Sequence, residues 1–167
     1  MASSTSSGIG ASYYGVQAID KADNVAVDKS SGFRFIYRFI GFLVPLNQQA
    51  GTYGVASIFA VGSVVPVRFQ LVDCRGNFAI NASAQIKLKK LGNSAGPATT
   101  IKEGTREPPD AGNRFNMRFV SLFGRQKTLV YEFRLDTGPL SEGIWQIEAT
   151  LDDGTSWMIN IGLQAGE

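Results

Sequence analysis

Short segments of the chain alternate between apolar and polar residues with a period of two, a pattern typical of β-strands that bury one face. The alternation is clearest near the C-terminus in LVYEFRLD, where Tyr131, Phe133 and Leu135 share one side. GIWQIEATL and SWMINIGL alternate in the same way and are separated by the hairpin-turn sequence Asp152-Asp153-Gly154-Thr155. We therefore expect these last two segments to form adjacent antiparallel strands.

The same alternation occurs earlier in the chain, in VASIFAV, VVPVRFQL, AQIKLKKL and RFNMRF. Each segment runs for about six to eight residues and is bounded by residues that favour turns. In RFNMRF, Phe115, Met117 and Phe119 are expected to face inward while the arginines face solvent. No segment has a convincing helical period. The spacing predicts an all-β fold, either a sandwich or a barrel.

A proline interrupts one of the clearest strand patterns. In VVPVRFQL, Pro66, Arg68 and Gln70 alternate with an apolar face made of Val65, Val67, Phe69 and Leu71. Proline has no amide hydrogen to donate to a sheet ladder, so it is tolerated at an edge strand or at a bulge. The sequence therefore predicts that Pro66 occupies an edge position or a bulge.

The segment GFRFIYRFIGFLVPL carries apolar residues on both faces. Such a strand either lies in the centre of a sandwich or contributes one face to an interface. The residues predicted to form a candidate interface are Tyr13, Tyr14, Phe33, Phe35, Tyr37 and Phe39.

Residues 1–31 are predicted to form an N-terminal extended arm, and residues 32–167 to form the β-sandwich domain. Residues 1–12 are rich in Ser, Gly and Ala, which favours a flexible segment. Residues 13–28 hold two short β-prone pieces around a turn-like stretch, which predicts an edge hairpin or pairing with another subunit. An arm of this length can complete the exposed sheet edge of a neighbour.

The composition excludes several classes of function. The chain has no histidine, so neither a Ser-His-Asp nor a Cys-His mechanism is available. Its lone cysteine, Cys74, is interpreted as a structural thiol. With 16 Lys+Arg against 14 Asp+Glu the net charge is +2, which favours neither nucleic acid nor a membrane as partner. The first residues, MASSTSSGIGASYYG, lack the features of a signal peptide, so none is expected.

Three polar groups of residues allow alternative interpretations. Asp152-Asp153-Gly154 with Asp136 supplies oxygen ligands of the kind that Ca²⁺ prefers. Asp110 with Glu103 and Glu107 offers the carboxylate pair that glycoside hydrolases use. Arginines interleave with aromatic residues, as in single-strand nucleic-acid binders, at Arg34, Arg38, Arg114 and Arg118. A structural interpretation is favoured for each, so no catalytic residue, no metal and no cofactor is predicted.

A set of these residues follows the order of a known pattern: Gly41, Phe42, Pro45, Gly62, Ser63, Val65, Pro66, Val67, Arg68, Phe69, Leu71, Tyr131, Phe133, Leu135, Asp136, Thr137, Leu140, Gly143, Trp145, Asp152, Asp153 and Gly154. The set resembles the bacterial PxKF (Pro-x-Lys-Phe) family of immunoglobulin-like domains. The resemblance spans residues 41–163 and is good over 59–76 and 129–163. Arg68 stands where that family usually has lysine.

The resemblance implies an immunoglobulin-like antiparallel β-sandwich of the kind found in secreted or surface proteins. It implies no catalytic residue, and it gives its signature residues structural roles. Pro66 would prevent pairing at an edge, and Gly62 and Gly143 would begin strands.

The sequence favours a non-enzymatic immunoglobulin-like module that acts in surface assembly, decoration or adhesion and self-assembles through its arm. Its expected partners are further copies of the chain or other structural proteins, outside the cell, at a cell surface or on a virion or filament. The alternative is a carbohydrate- or protein-binding module of a secreted bacterial surface protein, with Tyr53 or the 104–113 loop contacting a surface carbohydrate. An enzyme is the weakest hypothesis because histidine is absent.

Overall fold

The computed structural model of the chain describes residues 2–3, 11–12, 15–19, 25–29, 33–34, 36–46, 57–73, 75–94, 101–102, 104–122 and 127–166. Two compact units are present, Met1–Tyr37 and Arg38–Glu167. The described residues contain strands and turns, and no helix long and apolar enough to cross a membrane occurs among them.

The first unit is built from short strands. In chain order these are β1 (Ala2–Ser3), β2 (Ala11–Ser12), β3 (Gly15–Ile19), β4 (Val25–Lys29) and β5 (Phe33–Arg34). β3 pairs antiparallel with β1 and β4, and β2 pairs antiparallel with β5. The register of β3 with β4 runs from Gly15 opposite Lys29 to Ile19 opposite Val25.

The second unit consists of two sheets. Its strands are β6 (Arg38–Phe42), β7 (Ser57–Ala60), β8 (Val64–Val72), β9 (Ala84–Gly92), β10 (Ile101–Lys102), β11 (Asn116–Ser121), β12 (Lys127–Asp136), β13 (Gly143–Leu151) and β14 (Ser156–Gln164). One sheet has the order β11-β12-β8-β6 and the other the order β10-β7-β14-β13-β9. The two sheets enclose an apolar core, so the predicted all-β sandwich is confirmed.

The strand order is that of an immunoglobulin-like sandwich, in which strands A, B, E and D form one sheet and C, F and G the other. β6, β8, β12 and β11 take the places of A, B, E and D, while β9, β13 and β14 take those of C, F and G. The first strand is divided between the sheets, because β6 belongs to one and β7 to the other. The pairs formed by β7 with β14 and with β10 are parallel, and the other ladders of this unit are antiparallel.

Alternating side chains of the inner faces fill the core, as the period of two requires. Phe69 at its centre is fully buried. Its ring stacks on Tyr131 at a centroid distance of 5.3 Å and lies edge-on to Phe115 at 4.8 Å. The other buried residues of the inner faces include Val65, Val67, Leu71, Phe133, Leu135, Ile147, Ala149, Ile159, Ile161 and Leu163.

Pro66 lies in an interior strand but at a local edge. β8 is flanked by β12 and β6, yet β6 pairs only with the stretch from Phe69 to Val72. On the side of β8 that faces away from β12, the amide of Leu43 donates to the carbonyl of Arg68 at 2.8 Å and the amide of Thr105 donates to that of Val64 at 2.7 Å. Pro66 falls between these two bonds, where no ladder amide is needed.

The sequence predicted that Phe115, Met117 and Phe119 of RFNMRF face inward. This is correct for Phe115 and wrong for Met117 and Phe119. Phe115 is buried, whereas Met117 is 49% and Phe119 72% exposed. β11 is the outermost strand of its sheet, so Met117 and Phe119 lie at the exposed edge of the sandwich and not in its core. Position in the sheet thus overrides the alternation.

Residues 104–115, here called the strap, connect both sheets. The strap begins at the β6 side of β8, where Thr105 bonds to Val64. It crosses the outer face of the four-stranded sheet and reaches the far edge of β12, where the amide of Asp110 donates to the carbonyl of Arg134 at 2.9 Å. It ends beside β9, where the amide of Ile86 donates to the carbonyl of Asn113 at 2.8 Å.

Candidate binding surface

One end of the sandwich is formed by the connection from β8 to β9, the hairpin turn between β13 and β14, and the strand ends that meet there. We call residues 73, 75–83, 119–121 and 151–157 the loop end. Immunoglobulin variable domains bind their ligands with the loops at one end of the sandwich. Residues 123–126, which lie between β11 and β12 in the sequence, are outside the described part of the chain, as is Cys74.

Asp73 organises the beginning of the β8–β9 connection. Its Oδ1 accepts hydrogen bonds from the amides of Arg75 at 2.8 Å and Asn77 at 2.9 Å. The bond from the Asn77 amide is the largest cause that holds the pKa of Asp73 below its ordinary value of 3.8. The carboxylate thus replaces backbone partners in the turn, as Asp commonly does.

Tyr131 fastens the same connection to the core. Its hydroxyl donates to the carbonyl of Ala79 at 2.8 Å and accepts from the amide of Ala82 at 3.1 Å. The ring is buried against Phe69, and this burial raises the pKa of Tyr131 above its ordinary value of 10.0. The tyrosine therefore joins two backbone groups of the loop to the centre of the sandwich.

Replacing Tyr131 by Phe is expected to lower the free energy of unfolding at neutral pH by about 1–3 kcal/mol, because two backbone groups lose their partner. Since the folded-state pKa of Tyr131 lies above 10.0, its neutral form stabilises the fold fully below pH 10.0, and this contribution is lost as the pH rises through the folded-state value. The stability difference between the wild type and Tyr131→Phe should therefore shrink above pH 10.0. Urea unfolding of both proteins from neutral to alkaline pH measures it, and a difference that stays constant contradicts this role of the hydroxyl.

The hairpin between β13 and β14 is closed by its own side chains. Asp153 is 1% exposed, and its Oδ1 accepts from the amide of Thr155 at 2.8 Å and from the hydroxyl of Thr155 at 2.6 Å. The amide of Asp152 donates to the carbonyl of Ser83 at 2.9 Å, and Gly154 has a φ of +78° that suits glycine. This end of the sandwich is therefore a hydrogen-bonded unit.

Asp136 does not lie near Asp152 and Asp153, as the suggested calcium site requires. Asp136 ends β12 at the opposite end of the sandwich from Asp152 and Asp153, because β12 begins at Lys127 beside the loop end. Within the described residues, no group of three or more Cys, Asp or Glu side chains is placed to hold a metal ion.

Large apolar side chains are exposed on the loop end. Phe78 is 50% exposed, Ile80 52% and Phe119 72%. Phe78 forms a bridge with Val72 at the end of β8, and Phe119 pairs with Leu129 on the neighbouring β12. Because hydrogen-bonded turns hold the backbone beneath Phe78 and Ile80, these side chains are presented on a fixed frame.

A cluster of charged side chains lies on the outer face of the four-stranded sheet, beneath the strap. Glu132 is 1% exposed and is surrounded by the Nε atoms of three arginines. These are Arg68 at 2.5 Å, Arg134 at 3.0 Å and Arg118 at 3.3 Å. The contact with Arg118 is an ion pair without the alignment of a hydrogen bond.

Two acidic residues of the strap complete this cluster. Asp110 accepts from Nη2 of Arg118 at 2.5 Å and from the amide of Arg134 at 2.9 Å, and Glu107 forms an ion pair with Arg134. The carboxylates suggested for glycoside hydrolysis are thus bound to arginines, while Glu103 lies outside the described residues. Three arginines and three carboxylates balance in charge and fasten the strap to the sheet.

The predicted interface residues are partly described. Tyr13, Tyr14 and Phe35 lie outside the described residues, and Phe33 is described only through the backbone of β5. Tyr37 is buried. Phe39 is half-buried and stacks on Trp157 at a centroid distance of 4.7 Å, which joins β6 to β14 across the rim of the sandwich.

Gly62, Gly143 and Trp145 lie in a turn, at the start of β13 and within β13. Gly62 has a φ of +85° in the turn before β8, and Trp145 donates from Nε1 to the carbonyl of Ser141 at 2.8 Å. Gly143 begins β13 with a φ of +130°, and a Cβ atom there would collide with the carbonyl oxygen of Gly92. Comparison with family models, curated proteins and solved structures gives no match.

Proposed function

We propose that this chain is a non-enzymatic immunoglobulin-like module that acts in assembly by binding a protein surface through its loop end. The observation that carries the proposal is the exposure of Phe78, Ile80 and Phe119 at one end of the sandwich. Burying such side chains against a partner removes apolar area from water, at about 25 cal/mol for each Å². Large apolar side chains that are exposed together at one end of a domain are available to contact a partner there.

The fixed backbone of the loop end supports the same proposal. A surface that is already ordered loses less conformational entropy on binding than a mobile loop does. The bonds of Asp73 with Asn77 and of Tyr131 with Ala79 provide this order before any partner arrives. The ring of Phe78 is therefore positioned to enter a pocket of a partner, as aromatic anchors do.

The proposed partner is a second copy of the chain or another structural protein of the same assembly. The near-neutral charge of the chain, +2, permits like copies to approach without strong repulsion. A role on a surface, virion or filament fits a module whose contacts are made by apolar side chains on ordered loops.

Substituting Phe78→Ser and Phe119→Ser together in the full chain tests the proposal. We expect size-exclusion chromatography with light scattering across a dilution series to show an oligomer for the wild type and a smaller species for the variant. The matched control is Leu91→Ser with Met158→Ser, which removes two apolar side chains that are similarly exposed on β9 and β14. A wild type that stays monomeric, or a control that dissociates equally, contradicts self-assembly through the loop end.

A further inference from the structure

A cleft opens between the two sheets at the side opposite Phe39 and Trp157. It has a volume of about 310 Å³ and lies between β9 of one sheet and the last residues of β12 in the other. β11 pairs with β12 only as far as Glu132, so the following residues of β12 are not covered by a neighbouring strand there. The strap passes over one side of the opening through Asp110, Gly112 and Asn113.

The cleft is apolar at its floor. Ile86 and Leu88 line it from β9, and Phe133 and Leu135 line it from β12. Three of these are almost fully buried, while Leu88 is partly exposed. A volume near 300 Å³ is at the small end of protein ligand sites, whose linings are mostly apolar with a few polar groups that orient the ligand.

Two carboxylates lie at the mouth of the cleft, and one of them, Asp136, has an oxygen without a partner among the described residues. Asp110 is engaged through both oxygens, with Arg118 and with the amide of Arg134. Asp136 is exposed, and its Oδ1 accepts from the amide of Gly138 at 2.9 Å. Among the described residues no hydrogen bond or ion pair engages its Oδ2, so one carboxylate oxygen is free to accept at the mouth.

We propose that this cleft binds a primary ammonium group carried on an unbranched aliphatic chain. The chain would lie on Leu88 and Leu135, and the ammonium would donate to Oδ2 of Asp136. A lysine side chain of a partner and a free alkylamine share this chemistry, because both have an apolar stem that ends in a cation. The proposal concerns a site away from the loop end and does not depend on the function proposed above.

Binding of n-pentylammonium to the full chain tests the site. In a titration followed by amide NMR shifts, we expect saturable changes at Leu88, Asn113 and Asp136. Two control compounds separate the contributions: n-pentanol has the chain without the charge, and methylammonium has the charge without the chain. Each should bind several-fold more weakly than n-pentylammonium.

The Asp136→Asn variant tests the role of the carboxylate while its Oδ1 can still accept from Gly138. We expect the Kd for n-pentylammonium to rise about fivefold, the effect of a partly exposed ion pair worth about 1 kcal/mol. Glu142→Gln, an exposed acid outside the cleft, is the matched control and should leave the Kd unchanged. Absence of saturable shifts at the cleft, or an unchanged Kd in Asp136→Asn, overturns the proposal.

Nα-acetyl-lysine amide distinguishes the two sources of the ligand. Binding as tight as that of n-pentylammonium supports a lysine side chain of a protein partner. Binding of n-pentylammonium alone supports a free alkylamine.

Discussion

Replacing Glu132 by Gln is expected to lower the free energy of unfolding by about 3–5 kcal/mol, the cost of removing one partner from a buried ion cluster. Glu132 is 1% exposed and is contacted by Arg68, Arg118 and Arg134. Glutamine keeps the size of the side chain but removes the charge that compensates these guanidinium groups. Three cations would then lie close together on the outer face of the sheet, with the charges of Asp110 and Glu107 as their remaining compensation.

The matched control is the same chemical change at Glu107, whose side chain is 57% exposed. An exposed ion pair contributes about 0–1 kcal/mol, so Glu107→Gln should have little effect. Urea unfolding at neutral pH measures both variants. Equal losses at the two positions would show that burial of Glu132 does not determine its effect. Hydrogen exchange of the Thr105 and Asp110 amides reports separately whether the strap loosens.

Replacing Phe69 by Ala is expected to cost about 3–5 kcal/mol, because the change leaves a cavity at the centre of the core. The ring is fully buried, and the rings of Phe39, Phe42, Phe115 and Tyr131 surround it. These side chains come from β6, β12 and the segment before β11, so they cannot easily close the space without moving their backbones.

Phe119→Ala is the control, since it is the same substitution at a phenylalanine that is 72% exposed. A surface change of this kind usually stays within about 0.5 kcal/mol. The midpoint of urea unfolding should therefore fall strongly for Phe69→Ala and hardly for Phe119→Ala. If Phe119→Ala were as damaging, its side chain would have to be part of the core. If its stability is kept while an oligomer dissociates, the loop end gains support as an interface.

The strap gives this sandwich a feature that its strand order does not require. It connects the edge of β8 with β12 and β9, and the arginine–carboxylate cluster holds it in place. Arg68 belongs to this cluster through Glu132. A lysine would bring a compact ammonium instead of the planar guanidinium whose Nε contacts the carboxylate.

Most strands of the second unit are predictable from the sequence, because their alternation repeats over eight or more residues and their turns contain glycine or aspartate. The apolar faces predicted for β8 and β12 are buried, from Val65 to Leu71 on β8 and from Tyr131 to Leu135 on β12. The Asp153-Gly154 turn likewise follows from residue types that accept such a backbone. The candidate binding surface was not predictable in this way, since nothing in RFNMRF distinguishes a buried Phe115 from an exposed Phe119.

What the sequence by itself determined is the all-β class, the positions of the long strands and the absence of histidine chemistry, because each depends on local periodicity or on composition alone. Tertiary structure decided which strands lie at an edge, and with that the exposure of Phe119 and the local edge at Pro66. It also brought Glu132 among three arginines from three strands and opened the cleft beside Asp136. These features depend on residues far apart in the chain, whose proximity is set by strand order and register and not by the local pattern.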